Sequence, residues 1–177
     1  MAEDLAVSYG RAIAQIARAE GAADRVSDEL FQFASAVEQT PELRDKLTDS
    51  SIPLEARSNA AAELLQRAHP ATLAVVQMLI GADRIRHIGE IADAAVSETA
   101  EQRGASVASV RTAKPLTDEQ RDALSQALSA RAGRPVDLKI TVDPDLVGGL
   151  VVQLGDSVID GSVAKRLTDL RSSLSSV

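Results

Sequence analysis

The sequence predicts a mainly α protein: an N-terminal six-helix bundle over residues 1–105, followed by a small mixed α/β domain over residues 106–177. Three observations carry this prediction. Apolar residues recur at three- and four-residue spacing through the first hundred positions, which is the period of a helix with one buried face. After Gly104 the period shortens towards two, and Val becomes frequent, as in strands. The charge balance changes at the same place: residues 1–105 hold 17 Asp and Glu against 10 Lys and Arg, whereas residues 106–177 hold 9 of each. Such asymmetry between halves suggests two domains.

Each helix has its own signal. Leu5, Tyr9, Ala12, Ile13 and Ile16 form the first stripe, and Val26, Leu30, Phe33, Ala34 and Val37 form the second after a break at Gly21. A short helix follows Pro41. Pro53 suits the first turn of a fourth helix, with Ser51 as its cap and Arg67 as its end, because a first-turn proline lacks only an N–H that the helix does not use. Pro70 opens a fifth helix carrying Leu73, Val76, Leu79 and Ile80. Beyond a turn at Gly81–Asp83, the residues Ile85, Ile88, Ile91, Ala92, Ala95 and Val96 make a last long stripe that stops at Gly104.

The second part reads strand, helix, strand, strand, strand, helix. Residues 105–113 suit a strand, and Val136, Leu138, Ile140 and Val142 alternate with Asp137, Lys139 and Thr141 as a half-buried one. Between them, Thr117-Asp-Glu-Gln120 is a capping box opening a helix with Leu124 and Leu128 inward and Gly133 at its end. Residues 150–154 and 157–159 form a hairpin around Gly155-Asp156. Val163, Leu167, Leu170 and Leu174 mark a final helix.

Composition narrows the function. With no cysteine, a disulfide scaffold, a thiolate nucleophile and a zinc-thiolate site are excluded. A net charge of -7 makes a nucleic-acid face unexpected. Residues 73–82 and 146–154 are the longest apolar stretches and fall short of the about 20 residues that cross a bilayer. The start Met-Ala-Glu-Asp resembles neither a signal peptide nor a transit peptide, so the expectation is a protein kept inside a bacterial cell.

Enzymatic motifs are missing. No phosphate loop, dinucleotide fingerprint, zincin motif or nucleophile elbow is present. His69 and His87 read as solvated surface residues, without a nucleophile or carboxylate at fixed helical spacing. Asp143, Asp145, Asp156 and Asp160 cluster at turns, but their spacing does not fit a calcium loop, and Asp beside Pro or Gly is ordinary turn chemistry. Gly148-Gly149 reads as a turn or bulge before a strand. What remains is binding surface: grooves between short helices accept an amphipathic partner helix. Tyr9, the only tyrosine, either anchors such a partner or closes the core.

The stretch from Val142 to Leu167, VDPDLVGGLVVQLGDSVIDGSVAKRL, closely resembles the signature of the delta subunits of F-type ATP synthases, which correspond to the mitochondrial oligomycin sensitivity-conferring protein. The resemblance extends to Tyr9-Gly10-Arg11-Ala12, where the family typically has Tyr-Ala-Arg-Ala, to Asp83-Arg84-Ile85, and to the run Ala113 to Thr117. Glycine at position 10 would cost about 1 kcal/mol inside a helix and loosen it there.

The resemblance implies a non-catalytic stator subunit with no cofactor and no metal. Its helical domain would take the N-terminal helix of an alpha subunit on the catalytic head, in a groove between the first and fifth helices. Tyr9, Ile13, Ile16, Leu73, Val76 and Leu79 would line that groove, and a charge at Tyr9 or Leu79 would release the head. The C-terminal domain would hold the b subunits of the peripheral stalk, through Val147, Gly148, Gly149, Val163, Leu167 and Leu170 by looser analogy. The expected setting is the cytoplasmic side of a bacterial cell membrane, one copy per complex, with no nucleic acid and no small-molecule substrate. Two other readings stand beside it: a helical adaptor of a different assembly, and a small enzyme with an acidic site around Asp143 and Asp160.

Overall fold

A computed structural model describes residues 2–155, 157–162 and 165. The chain divides into two compact units, Met1–Thr99 and Ala100–Val177. Among the described residues it is mostly helical, with seven α-helices and one four-stranded mixed sheet.

Six α-helices precede the first strand. Helix α1 (Ala2–Ala19) ends before Gly21, whose φ of 66° is the left-handed conformation that turns the chain into α2 (Ala23–Gln39). All five residues of the predicted α2 stripe are buried. Helix α3 (Pro41–Thr48) begins on its proline, and α4 spans Leu54–Leu64.

Two expectations for α4 are corrected. Ser51 is not its cap: the Ser51 N–H donates to Asp49 Oδ1 at 2.8 Å, closing a local turn, and Pro53 precedes the helix in an extended conformation. Nor does α4 reach Arg67. Its last helical residue is Leu64, and Pro70 holds His69 in the extended region, so the chain cannot run on as helix into the next one.

Helix α5 (Pro70–Gly81) leads through a 3-10 turn (Ile85–His87) into α6 (Ile88–Gln102). The left-handed residue between them is Asp83, with φ 55°, while Gly81 stays helical. Aspartate tolerates this conformation better than most residues, and its carboxylate meets Arg86 at 2.8 Å. Ile13, Leu30, Leu47, Ala61, Leu79, Ile85 and Ile91, contributed by all six helices and the 3-10 turn, meet in one apolar core. Each Leu or Ile so buried stabilises the fold by about 1.5–3 kcal/mol relative to exposure.

The second unit has strands β1 (Ser106–Thr112), β2 (Val136–Val142), β3 (Leu150–Leu154) and β4 (Ser157–Asp160), in the sheet order β2-β1-β3-β4. Helix α7 (Asp118–Ala132) connects β1 to β2, and a helical crossover returns the chain parallel, so β1 and β2 are parallel. The short links beyond give antiparallel pairs of β1 with β3 and β3 with β4. Both halves of the capping box form: Gln120 N–H donates to Thr117 Oγ1 at 3.3 Å, and Thr117 N–H to Gln120 Oε1 at 3.0 Å. Gly133 ends α7 in the left-handed conformation.

One sheet face is apolar. Ala108 sits between Leu138 and Leu154, and Val110 between Ile140 and Val152. Leu128 of α7 packs on this face. The alternation predicted for β2 does not become an alternation in burial, since its five middle residues are all half-buried. An edge strand is open on one side, which evens out the exposure of its two faces. The predicted final helix, including Val163, Leu167 and Leu170, lies outside the described residues apart from Lys165, as does Asp156.

Candidate functional site: the flank of helices α1 and α5

Helix α1 presents two adjoining apolar faces. Ala6, Ile13, Ala14 and Ala17 are buried. Beside them, Tyr9 is half-buried against the core and Ile16 is 43% exposed. Helix α5 packs on α1 and shows the same division. Val76 and Leu79 are fully buried, whereas Leu73 is half-buried at the edge. The six expected groove residues thus form two sets: Ile13, Val76 and Leu79 in the core, and Tyr9, Ile16 and Leu73 at the rim.

The outward side of α5 is unusual for a surface. Pro70, Ala74, Gln77, Met78 and Gly81 are exposed, and the whole helix, PATLAVVQMLIG, contains no charged residue. One residue in four of the chain is charged, so a twelve-residue surface helix would be expected to carry about three. The exposed side of α5 is thus uncharged, and on α1, which packs on α5, Tyr9 is half-buried and Ile16 is exposed.

Polar anchoring fixes the start of α5. The Glu29 carboxylate of α2 accepts from His69 N–H at 2.7 Å, from the Thr72 hydroxyl at 2.6 Å and from Arg25 Nε at 2.8 Å. Partial burial works against its charged form, but the hydrogen bonds from Thr72, Arg25 and His69 and the Arg25 charge outweigh that, holding the carboxyl below its ordinary value. His69 is therefore not simply solvated: its Nδ1 accepts from Ala71 N–H at 3.2 Å and caps the helix. His87 also has a carboxylate nearby, with Nδ1 3.7 Å from Glu90 Oε2 at helical spacing.

Gly10 has a reason that periodicity could not show. A Cβ built there would lie 2.6 Å from Ala94 Cβ of α6 and 2.7 Å from the Ala94 carbonyl carbon and the Ala95 nitrogen. The glycine lets α1 rest on the backbone of α6.

In the second unit Val147 is 83% exposed. Gly149 has φ 82°, and a Cβ on it would run into the carbonyl of Gly161, so the Gly-Gly pair is the turn expected before β3. Gly148 is half-buried beside it. The carboxylates serve turns. Asp143 Oδ1 accepts from Asp145 N–H at 3.0 Å and its other oxygen from Arg111 at 3.2 Å. Asp160 accepts from Ser162 N–H at 2.9 Å, a bond that, with the Ser162 hydroxyl, lowers its pKa. Among the described residues no group of three or more His, Asp or Glu is placed to hold a metal ion, and no helix is long and apolar enough to cross a membrane.

Comparison with known proteins gives one consistent result. Residues 5–174 match the profile of the ATP synthase delta (OSCP) subunit. Relatives named ATP synthase subunit delta include those of Frankia alni, 44% identical over 89% of this chain and 57% of its own length, and Acidothermus cellulolyticus, 45% identical over 88% and 57%. That of Nocardioides is 48% identical over 83% of this chain and 54% of its own. The chain thus spans little more than half the length of these relatives. A chain of the Toxoplasma gondii mitochondrial ATP synthase hexamer shares the fold, with a TM-score of 0.61 at 24% identity over 96% of this chain and 97% of that one. By the span of the profile and by these identities, the chain belongs to the ATP synthase delta (OSCP) subunit family.

Proposed function

We propose that the chain is a non-catalytic stator subunit of an F-type ATP synthase that joins the catalytic head to the peripheral stalk at the cytoplasmic face of a bacterial membrane. The six helices before β1 act as one bundle whose α1 and α5 flank seats the N-terminal helix of an alpha subunit. The observation that carries this reading is the uncharged exposed side of α5, a helix that packs on α1, where Tyr9 and Ile16 are partly exposed. An amphipathic helix covers such a surface through residues three and four apart. Tyr9 supplies the large amphipathic ring that interfaces favour, and Ile13, Val76 and Leu79 form the floor beneath it.

The mechanism needs no reacting group. The turning rotor exerts torque on the head, and a link between head and stalk resists it. Such a link must dissociate slowly, which a desolvated apolar helix achieves better than exposed ion pairs worth about 0–1 kcal/mol each. The second unit takes the b subunits, with Val147 and the 148–149 turn as candidate contacts alongside Val163, Leu167 and Leu170.

Affinity purification of the full tagged chain from native membranes in mild detergent tests this. Recovery of alpha, beta and b subunits is the expected result. Recovery of an unrelated soluble complex without them would assign the chain to a different assembly.

A further inference from the structure

Gly10 and Tyr9 are neighbours in sequence but point about 100° apart around α1, Gly10 at the backbone of α6 and Tyr9 half-buried against the core. Two of the three atoms that a Cβ on Gly10 would strike, the Ala94 carbonyl carbon and the Ala95 nitrogen, belong to the backbone of α6, so no change of side-chain rotamer makes room. Ala6 and Ala17 lie on the same side of α1 and are buried, and Ala95 is fully buried opposite. At Gly10 the two helices therefore meet through small residues, at a distance that a methyl group would increase.

The direction of that increase is set by helical geometry. At about 100° per residue, Leu5, Ala12 and Ile16 lie within about 60° of the direction pointing straight away from Gly10, and Tyr9 within about 80°. Pushing α1 off α6 carries these residues outward together. Helix α5 does not follow, because Glu29 holds its start to α2 through His69 and Thr72. The spacing of Tyr9 and Ile16 from Leu73 changes instead.

We infer that Gly10 is a positioning residue that sets the spacing of the α1/α5 groove and so fits it to its partner helix. This rests on the proposed reading of that groove as the seat of the alpha-subunit helix. Gly10 touches no partner itself; it acts through the placement of Tyr9 and Ile16.

The test titrates the full chain with a synthetic peptide of the N-terminal segment of the alpha subunit from the same cell. Wild type is compared with Gly10→Ala and with a control of matched stability chosen from Leu47→Val and Leu47→Ala. Leu47 is fully buried on α3, which packs on α2, α4 and the 3-10 turn. Affinity is referred to the folded fraction measured by circular dichroism. Where Gly10→Ala is partly unfolded, the titration is repeated in sucrose, which favours the compact state.

The expected result is an affinity about tenfold weaker for Gly10→Ala, on the scale of one misplaced anchor, with the Leu47 control unchanged. Equal affinity for Gly10→Ala and wild type, or the same loss in the control, overturns the positioning role while leaving the groove in place. Failure of the wild-type chain to bind the peptide overturns the groove reading and the inference with it.

Discussion

Gly10 of α1 lies so close to Ala94 of α6 that a methyl group added to the glycine would sit 2.6 Å from the alanine's own. Replacing Gly10 by alanine removes the helix-interior penalty of glycine, about 1 kcal/mol. It also forces a contact that costs about 1–3 kcal/mol in a packed interior. The net expectation is a loss of up to about 2 kcal/mol, read from urea unfolding followed by circular dichroism; a stabilised variant would show that α1 and α6 do not pack as described.

On the proposed reading of the α1/α5 flank, Tyr9 and Leu79 separate partner binding from folding. Tyr9→Glu places a charge at a half-buried rim position, and Leu79→Glu places one in a fully buried site. The first is expected to leave helical content intact and lower retention of the head on membranes at least tenfold. The second is expected to unfold the helical unit, since an unpaired buried charge costs several kcal/mol. The full burial of Leu79 thus separates it from Tyr9, although the expectation from sequence was that a charge at either would release the head and leave the bundle folded.

Glu29 predicts a pH dependence. Its pKa in the fold lies below the ordinary 4.5, so its ionised form stabilises the fold. That contribution is complete above the ordinary value and is lost as pH falls through the lowered one. Glu29→Gln should therefore be less stable than wild type at pH 7, by about 1–3 kcal/mol for a weakened set of hydrogen bonds. The difference should shrink as pH falls below 4.5. Thermal midpoints of the two proteins that stayed a constant distance apart from pH 7 to pH 3 would contradict the network.

Gly149 predicts a greater sensitivity to a methyl group than an ordinary turn glycine has. Alanine there meets both a φ of 82° and the Gly161 carbonyl. The expected loss exceeds about 2 kcal/mol. Gly155→Ala at φ 56°, with nothing within 4 Å of the added Cβ, should cost about 1 kcal/mol. Denaturant midpoints of the pair provide the comparison.

These cases show where the sequence was readable. The α2 stripe, the capping box at Thr117 and the turn at Gly133 follow from local spacing and chemistry, and each is found. Periodicity also put Tyr9, Ile13 and Ile16 on one side of α1, but it cannot separate a core face from the rim beside it, because the two adjoin within about 60°. The close approach at Gly10 depends on a residue 84 positions away and has no local sign. The same holds for Glu29, whose partners on α5 are 40 and 43 residues distant. Ser51 failed as a cap because α4 starts only at Leu54, with Pro53 in the capping position, which leaves Ser51 two residues short of it.

The position of β1 in the middle of its sheet has a consequence for the chain as it leaves the ribosome. β1 is synthesised before both of its neighbours, yet it can pair only with 136–142 and 150–154. The helical unit is made from local turns and can close while translation continues. β1 must wait, apolar side chains uncovered, until β3 has emerged. Slowing elongation over residues 113–150 should therefore lengthen the time during which nascent chains recruit chaperones, without delaying the closure of the helices that precede it.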